Sequence, residues 1–501
     1  MCSALHLLYT WSVQCYYYDG IFHLFFAGKS KFSQYIINMR WLQELEDLFQ
    51  IKIDKEQYQV ITDEHLCLQV IAGAGSGKTF TICCKVYYLV YVKKVPAYKI
   101  VVLSYTNYAC SEIQNYFKKM NLKIEVMTFH KFALNILKLN HISYHIETDV
   151  KRIIAPFIEE LRTNDRNYYE DLILSYRATN YLKKRLLKYC YHILWKIKKE
   201  DIPNWLESSI LHDLQNTDHS TLTVKLEQYK QNNHILFFSD MVSTAFDLLT
   251  KKDAILKDYS YLFIDEFQDI SKERFEFIYQ FHQLTNCHII VVGDDYQSIY
   301  QFADSDVYYF VHFLDYYEHS HQIFLNHTYR NSQELLEYAK QVILRNQNQI
   351  HKVLYSDKHL TMPIQSYYYS DNRSYVRSLV QILKLIFEEK QAKKVLILSR
   401  YQFDLEIVKE KQVNQLLRKC PSEIKIDMLT IHKAKGLGYD VVIFLNLRQG
   451  KYGFPSTEME IDLEEERRLF YVALTRTKSY VYLLIPKKNP SIFVEELLTL
   501  K

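Results

Sequence analysis

The chain has 501 residues, 48% of them apolar and 24% charged, with a formal net charge of +4. That length allows two to four domains with sizeable cores, the balance is an ordinary globular one, and a near-neutral total still leaves room for a basic groove. Nine cysteines are scattered without a C-x-x-C pair, which argues against zinc or an iron–sulfur cluster and for reduced thiols in a cytoplasmic protein, and no apolar run reaches membrane-spanning length.

In chain order, residues 1–44 form an N-terminal segment. Its first 38 residues are aromatic and apolar, broken by His6, Gln14, Asp19 and His23, with no basic stretch ahead of an apolar core. A signal peptide is therefore not expected. The segment reads either as a small helical piece or as sequence ahead of a start at Met39. Residues 45–134 read as the first part of an α/β lobe. A short apolar run over 68–71 predicts a buried strand, and residues 70–79 then read VIAGAGSGKT. Gly73, Gly75 and Gly77 allow a tight turn with backbone N–H groups facing an anion. The helix expected from Thr79 points its N-terminal dipole at the same place. Lys78 suits the β and γ phosphates, and the Thr79 hydroxyl suits magnesium. The strict phosphate-loop pattern has glycine where this chain has Ala72; Ala72, Ala74 and Ser76 complete the expected loop.

Strand-like runs at 67–71, 99–104, 124–128, 261–264 and 288–292 predict one parallel sheet. Runs at 323–326, 395–399, 428–432, 441–445 and 480–485 predict a second, and the helix-like segments between them predict α/β layers. Residues 135–234 read as an all-α insertion, with apolar positions including Leu172, Leu174, Tyr176, Leu182 and Ile193. The first lobe resumes over 235–321, and 322–501 form the second. Within the insertion, Lys183, Lys184, Arg185, Lys188, Lys196, Lys198 and Lys199 read equally as a duplex-DNA contact or a solvated helix face.

The most informative stretch is 261–302. One strand ends in Asp265-Glu266 and the next in Gly293-Asp294-Asp295, at the sheet edge where open α/β folds bind ligands. One carboxylate can hold magnesium, the next can polarise a water, and Gln297 can sense a terminal phosphate. Acidic caps on strands mean little alone; with a phosphate loop upstream they point to nucleotide hydrolysis.

Eight ordered blocks carry a resemblance: AGAGSGKT, LSYTNYACSEI, TFHKFA, IDEFQD, GDDYQSIYQF, TYRNS, TIHKAKGLGYD and EEERRLFYVALTRTK. They resemble superfamily 1 DNA helicases of the UvrD/Rep/PcrA type, with a helicase IV flavour in GDDYQSIYQFADSD. The resemblance implies two RecA-like motor lobes, with ATP and Mg2+ as cofactors. Gln57 would read the adenine edge and Tyr329 stack on the base. Lys78 and Thr79 would hold phosphate and magnesium. Asp265 would organise the metal, and Glu266 would act as general base. Gln297 would couple the γ-phosphate to the DNA site, with Arg330 and Arg476 as arginine fingers. Tyr105, Tyr300 and Phe302 would stack on bases, although any one aromatic alone reads as core packing. Thr128, His130, His432 and Lys435 would touch the DNA backbone beside Thr106 and Asn107; either histidine alone reads equally as a core or loop residue.

Two departures stand out. Gly438 occupies a position where the family usually has Glu. Only residues 401–427 join the VLILSR strand to the TIHKAKGL block, too few for the family's usual mobile domain. The expected activity is ATP-driven 3′-to-5′ movement on single-stranded DNA and at single-strand/duplex junctions, with unwinding, by a monomer or weak oligomer away from membranes. The alternative is a DNA-gated ATPase subunit that regulates a partner nuclease in an anti-phage or repair complex.

Overall fold

A computed structural model describes residues 14–18, 21–25, 40–142, 144–147, 151–165, 167–169, 172, 221–251, 254–389, 392–456 and 462–499. The first sheet contains β1 (Cys67–Ala72), β2 (Ile100–Ser104), β3 (Glu125–Thr128), β4 (Tyr261–Ile264), β5 (His288–Gly293) and β6 (His321–Leu325). All six run parallel, in the order β6-β1-β5-β4-β2-β3. Every residue of β1 and β2 is buried, as expected when helices cover both faces of a parallel sheet. Gln69 is the polar exception in β1. Its Nε2 donates to the Phe310 carbonyl at 2.5 Å and its Oε1 accepts from Gln322 at 2.9 Å, which meets the cost of burying an amide. Because the strands share one direction, the loops after β1, β4 and β5 open on one edge.

The second sheet contains β7 (Ile364–Tyr369), β8 (Lys394–Ser399), β9 (Lys425–Thr430), β10 (Tyr439–Phe444) and β11 (Thr477–Pro486). It is also parallel, in the order β7-β11-β10-β8-β9. Residues 402–417 form two short helices whose Leu405, Ile407 and Val413 sit in the core of this sheet. The short connection is thus part of the lobe.

Three expectations need correction. The strand expected at 323–326 is β6, which pairs with β1 in the register His321↔Leu68. It extends the first sheet past the expected 321/322 boundary and does not join the second. Strand β7 was not expected: its sequence IQSYYY places Tyr368 half in solvent on an edge strand, so it lacks the apolar run that marks a buried one. In the N-terminal segment, Gln14–Tyr18 and Ile21–Phe25 pair antiparallel, where a helical piece was one of the readings.

Residues 130–257 form a separate compact unit. Its helices include Lys151–Asn164 and Thr221–Asn232, around a core with Ile154, Phe157, Leu172 and Leu226. It also holds a parallel pair, His145–Glu147 with Ile235–Phe237, so it is not purely helical. Leu174, Tyr176, Leu182, Ile193 and the basic cluster lie outside the described residues. Among the described residues, no helix is long and apolar enough to cross a membrane.

Candidate active site

The phosphate loop follows directly from β1. Ala72 is the last strand residue, so its backbone makes no demand for glycine. Gly75 and Gly77 have φ of +79° and +83°, and a Cβ on Gly75 would lie 2.5 Å from the Arg330 Cβ. Glycine is needed there for both conformation and space. Side chain and backbone from the 328–330 segment brace the loop: Thr328 Oγ1 donates to the Ala74 carbonyl at 2.6 Å and the Tyr329 N–H to the Gly75 carbonyl at 3.0 Å. Gly77 caps the Lys78–Tyr91 helix without a side-chain bond, which leaves the first N–H groups for an anion.

Gln57 and Tyr329 meet beside this loop. Asp54 and Gln57 form a capping box at the start of the Lys55–Thr62 helix. The Tyr329 hydroxyl donates to Asp54 Oδ2 at 2.5 Å, and Gln57 Nε2 donates to the Ser76 carbonyl at 3.3 Å.

Thr79 Oγ1 donates to Asp265 Oδ2 at 2.9 Å. A hydroxyl and a carboxylate at that spacing, beside the buried and unpartnered Ser76 hydroxyl, are hard oxygen donors of the kind Mg2+ takes together with phosphate oxygens. Burial, reinforced by the charge of Glu266, pushes Asp265 up to about 7. Burial also pushes Glu266 up, but the charges of Lys78 and Lys435 and a hydrogen bond from Gln268 outweigh it and hold this carboxylate below its usual range. Glu266 sits at φ +56°, a left-handed conformation uncommon outside glycine and often found at functional sites.

Gln297 stands between the lobes. Its Nε2 donates to Asp294 Oδ2 at 2.6 Å, and its Oε1 accepts from Arg476 Nη2 at 2.8 Å. Lys78, Thr79, Glu266, Gln297, Arg330 and Arg476 line one cavity of about 200 Å³, and Asp265 touches it through Thr79.

A second cluster lies beyond the cavity. The Tyr300 hydroxyl donates to the His432 carbonyl at 3.3 Å, Lys435 Nζ lies 4.6 Å from the Tyr300 ring, and Phe302 is 72% exposed. Lys435 also pairs with the buried Asp269. The Tyr105 ring packs on Phe129 at 5.1 Å with Arg274 at 5.5 Å, and its hydroxyl is buried. The Thr106 side chain caps the helix that starts at Asn107, and Thr128 ends β3. His130 belongs to the 130–257 unit, stacked on Phe238 at 4.0 Å.

The sequence profile of the UvrD/REP helicase N-terminal domain matches residues 53–318, and that of the UvrD-like helicase C-terminal domain matches residues 405–488. The chain belongs to the UvrD/REP helicase family. It is 27% identical to DNA helicase IV of Escherichia coli K12 over 483 residues, covering 87% of this chain and 68% of the relative. A probable DNA helicase of Mycoplasma pneumoniae is 25% identical, over 86% of this chain and 83% of its own. The ATP-dependent DNA helicase PcrA of Staphylococcus aureus Mu50 is 25% identical over 61% of this chain, which spans only 41% of that protein.

The family departure at Gly438 now has a location. A Cβ there would lie 3.5 Å from Arg330 Nε, so the usual glutamate would stand beside the arginine. This helicase-family chain leaves Arg330 without that neighbour. Sequence reasoning also missed Lys352. Its ammonium is fully buried and ion-paired with Asp294 and Asp295. The available signal was a lone lysine in the run 350–354, IHKVL.

His432 carries a pH signature. Burial, with the charges of Arg400 and Lys435 added, pushes its imidazole down to about 4. An unfolded chain protonates histidine near ~6.5, so between those values the unfolded state holds the extra proton. The sign follows: the contribution of neutral His432 is present above that range and is lost as pH falls through it. Replacing His432 with Gln flattens the decline of thermal midpoint across this window. An unchanged slope would mean that the imidazole titrates as if in solvent.

Proposed function

We propose that this chain is an ATP-driven translocase and helicase that moves 3′ to 5′ on single-stranded DNA, loading at single-strand/duplex junctions. The observation that carries the reading is the shared cavity, where the phosphate loop after β1 meets Arg330, which follows β6 of the same sheet, and Arg476, which directly precedes β11 of the second sheet. Lys78 and the loop N–H groups bind the β and γ phosphates. Thr79 and Asp265 would hold Mg2+, which neutralises phosphate charge when bound. Glu266 takes the proton of the attacking water, and Gln268 Nε2, bonded to Glu266 Oε2 at 2.6 Å, orients the carboxylate. Arg330 and Arg476 stabilise charge on the transferred group, where electrostatics supply most of the catalysis.

Coupling to DNA runs through contacts that join the lobes. Lys435 follows β9 yet pairs with Asp269 after β4, and Tyr300 after β5 contacts His432. Movement of one lobe against the other therefore disturbs the aromatic cluster. Exposed Phe302 and its neighbours stack on bases, worth ~1–3 kcal/mol each without sequence preference. Direction of travel rests on the family.

Single-stranded DNA is expected to raise ATP hydrolysis strongly in the wild-type chain, and Lys78→Ala to abolish it. Negligible wild-type hydrolysis with DNA present would sink the reading. The short 401–427 connection favours the second reading, a DNA-gated ATPase that regulates a partner nuclease. Strand displacement by the purified chain separates the two: a helicase displaces, whereas a gated ATPase hydrolyses without displacing.

A further inference from the structure

Asp63, His65 and His321 converge on the far edge of the first sheet, away from the catalytic cavity. Asp63 caps the C-terminus of the Lys55–Thr62 helix, His65 lies in the turn into β1, and His321 opens β6. Asp63 Oδ2 is 2.9 Å from His65 Nδ1 and 2.6 Å from His321 Nδ1, and the two imidazole rings are 4.3 Å apart. Among the described residues, this is a trio whose ligand atoms all lie within 4.8 Å of one another. We propose that it is a binding site for a divalent transition-metal ion of the zinc class. The ion clamps the helix that carries Gln57 to the strand that leads to Tyr329 and Arg330.

The donor chemistry selects the ion. Two imidazoles and one carboxylate suit zinc, cobalt, nickel or copper, whereas magnesium and calcium take oxygen donors. A tetrahedral ion with bonds of about 2.0–2.2 Å holds its donors roughly 3.3 Å apart, so the two Asp63–histidine spacings of 2.9 and 2.6 Å need to open by under ~1 Å. The histidines can do this: the His65 and His321 side chains are 53% and 44% exposed, while Asp63 is 6% exposed and fixed. Burial pushes the Asp63 carboxyl up, but hydrogen bonds from His321 and His65 outweigh it and keep the group ionised. The His65 carbonyl lies 3.1 Å from His288 Nδ1, which steadies the turn. A groove lined by Asp63, His321, Glu56 and Asn326 leaves a fourth position for water, as in three-ligand zinc sites.

One feature opposes binding. The Lys85 ammonium is buried and donates to the Asp63 carbonyl at 2.6 Å, so a cation at the trio meets a like charge nearby. That penalty falls hardest on ions that bind through charge alone, and it leaves those that gain from imidazole. The scattered cysteines bear only on thiolate sites and say nothing against this one. The rival account is a histidine–aspartate–histidine hydrogen-bond set with no affinity for metal.

The test uses Co2+ as an optical probe on the full chain, with Zn2+ in competition. Wild type is expected to develop the visible bands of tetrahedral cobalt, saturating at one equivalent and erased by Zn2+. His321→Ala and His65→Gln each remove a ligand, so affinity should fall by more than the ~10–100-fold that follows loss of an outer-shell partner. Zn2+ should raise the thermal midpoint of wild type and not of the variants. Neither histidine lines the catalytic cavity, so circular dichroism and Mg2+-dependent hydrolysis serve as controls for folding. If wild type and both variants titrate alike, other histidines bind the metal and the proposal fails; absence of cobalt bands in wild type overturns it as well. The optical readout does not depend on ATP hydrolysis, so the proposal stands or falls separately from the helicase reading.

Discussion

Replacing Arg476 with Ala lowers kcat for DNA-stimulated ATP hydrolysis by ~10³–10⁵, the range set by arginine fingers in phosphoryl transfer, while KM for ATP moves far less. Arg476 is fully buried, and burial together with the nearby Arg330 pushes its guanidinium down to about 9. Among the described residues its hydrogen-bond partners are all neutral: the Val472 and Leu437 carbonyls, the Thr475 hydroxyl and Gln297 Oε1. A buried cation without a carboxylate partner is costly. It is a favourable arrangement only where an anion arrives, and the facing wall of the cavity is the phosphate loop. The interaction strengthens as charge moves onto the transferred oxygens, so its loss appears in kcat. Arg476→Lys keeps the charge but loses the fork that reaches Val472 and Gln297 together, and should recover only part of the rate. A raised KM with unchanged kcat, or a lost thermal midpoint with normal kcat in the surviving fold, would assign Arg476 to uniform binding or to structure instead.

What could be read before the fold was known follows a physical line. The phosphate loop and Asp265-Glu266 are each contiguous in sequence, and short-range patterns report local geometry. The convergence of Arg476 on Gln297, 179 positions apart, was legible only through the family's ordered blocks. Sheet membership was not legible for β6: an apolar run announces a strand but not its partner, and pairing with β1 is fixed by distant packing. Strand β7 was missed for the opposite reason, since IQSYYY has polar residues and a half-exposed Tyr368 where a buried strand shows an apolar run. The surroundings of Tyr105 were not legible either: its ring packs on Phe129 and is flanked by Arg274, and no local pattern announces either neighbour. The Asp63–His65–His321 trio joins residues over 250 positions apart and has no sequence pattern at all.

Lys352 shows how far such long-range chemistry reaches, and its replacement carries the second large effect. Lys352→Ala should destabilise the fold by ~3–5 kcal/mol, the usual cost of leaving a buried charge without its partner. The ammonium, Asp294 and Asp295 have no solvent exposure. Lys352 Nζ pairs with Asp294, lies 2.7 Å from Asp295 Oδ1 and 3.2 Å from the Ala72 carbonyl, and sits 3.8 Å from the Tyr296 ring centre. Burial alone would push the ammonium down, but the two carboxylates more than reverse it. One lysine thus holds the end of β1, at the phosphate loop, against the end of β5. Asp294 is also the group that accepts from Gln297 Nε2, so the lysine reaches Gln297 through a single carboxylate. Its loss should lower kcat beyond what reduced folded fraction explains. The double variant Lys352→Met with Asp295→Asn removes one charge of each sign. It should recover part of the stability, because one of the two orphaned carboxylates is removed as well, but neither the full stability nor the full kcat, because Asp294 still lacks its counter-ion. Denaturant melts and hydrolysis rates on Lys352→Met, Asp295→Asn and their double variant give the coupling energy directly. If Lys352→Ala melts like wild type, the three charges are not the buried network that the geometry describes.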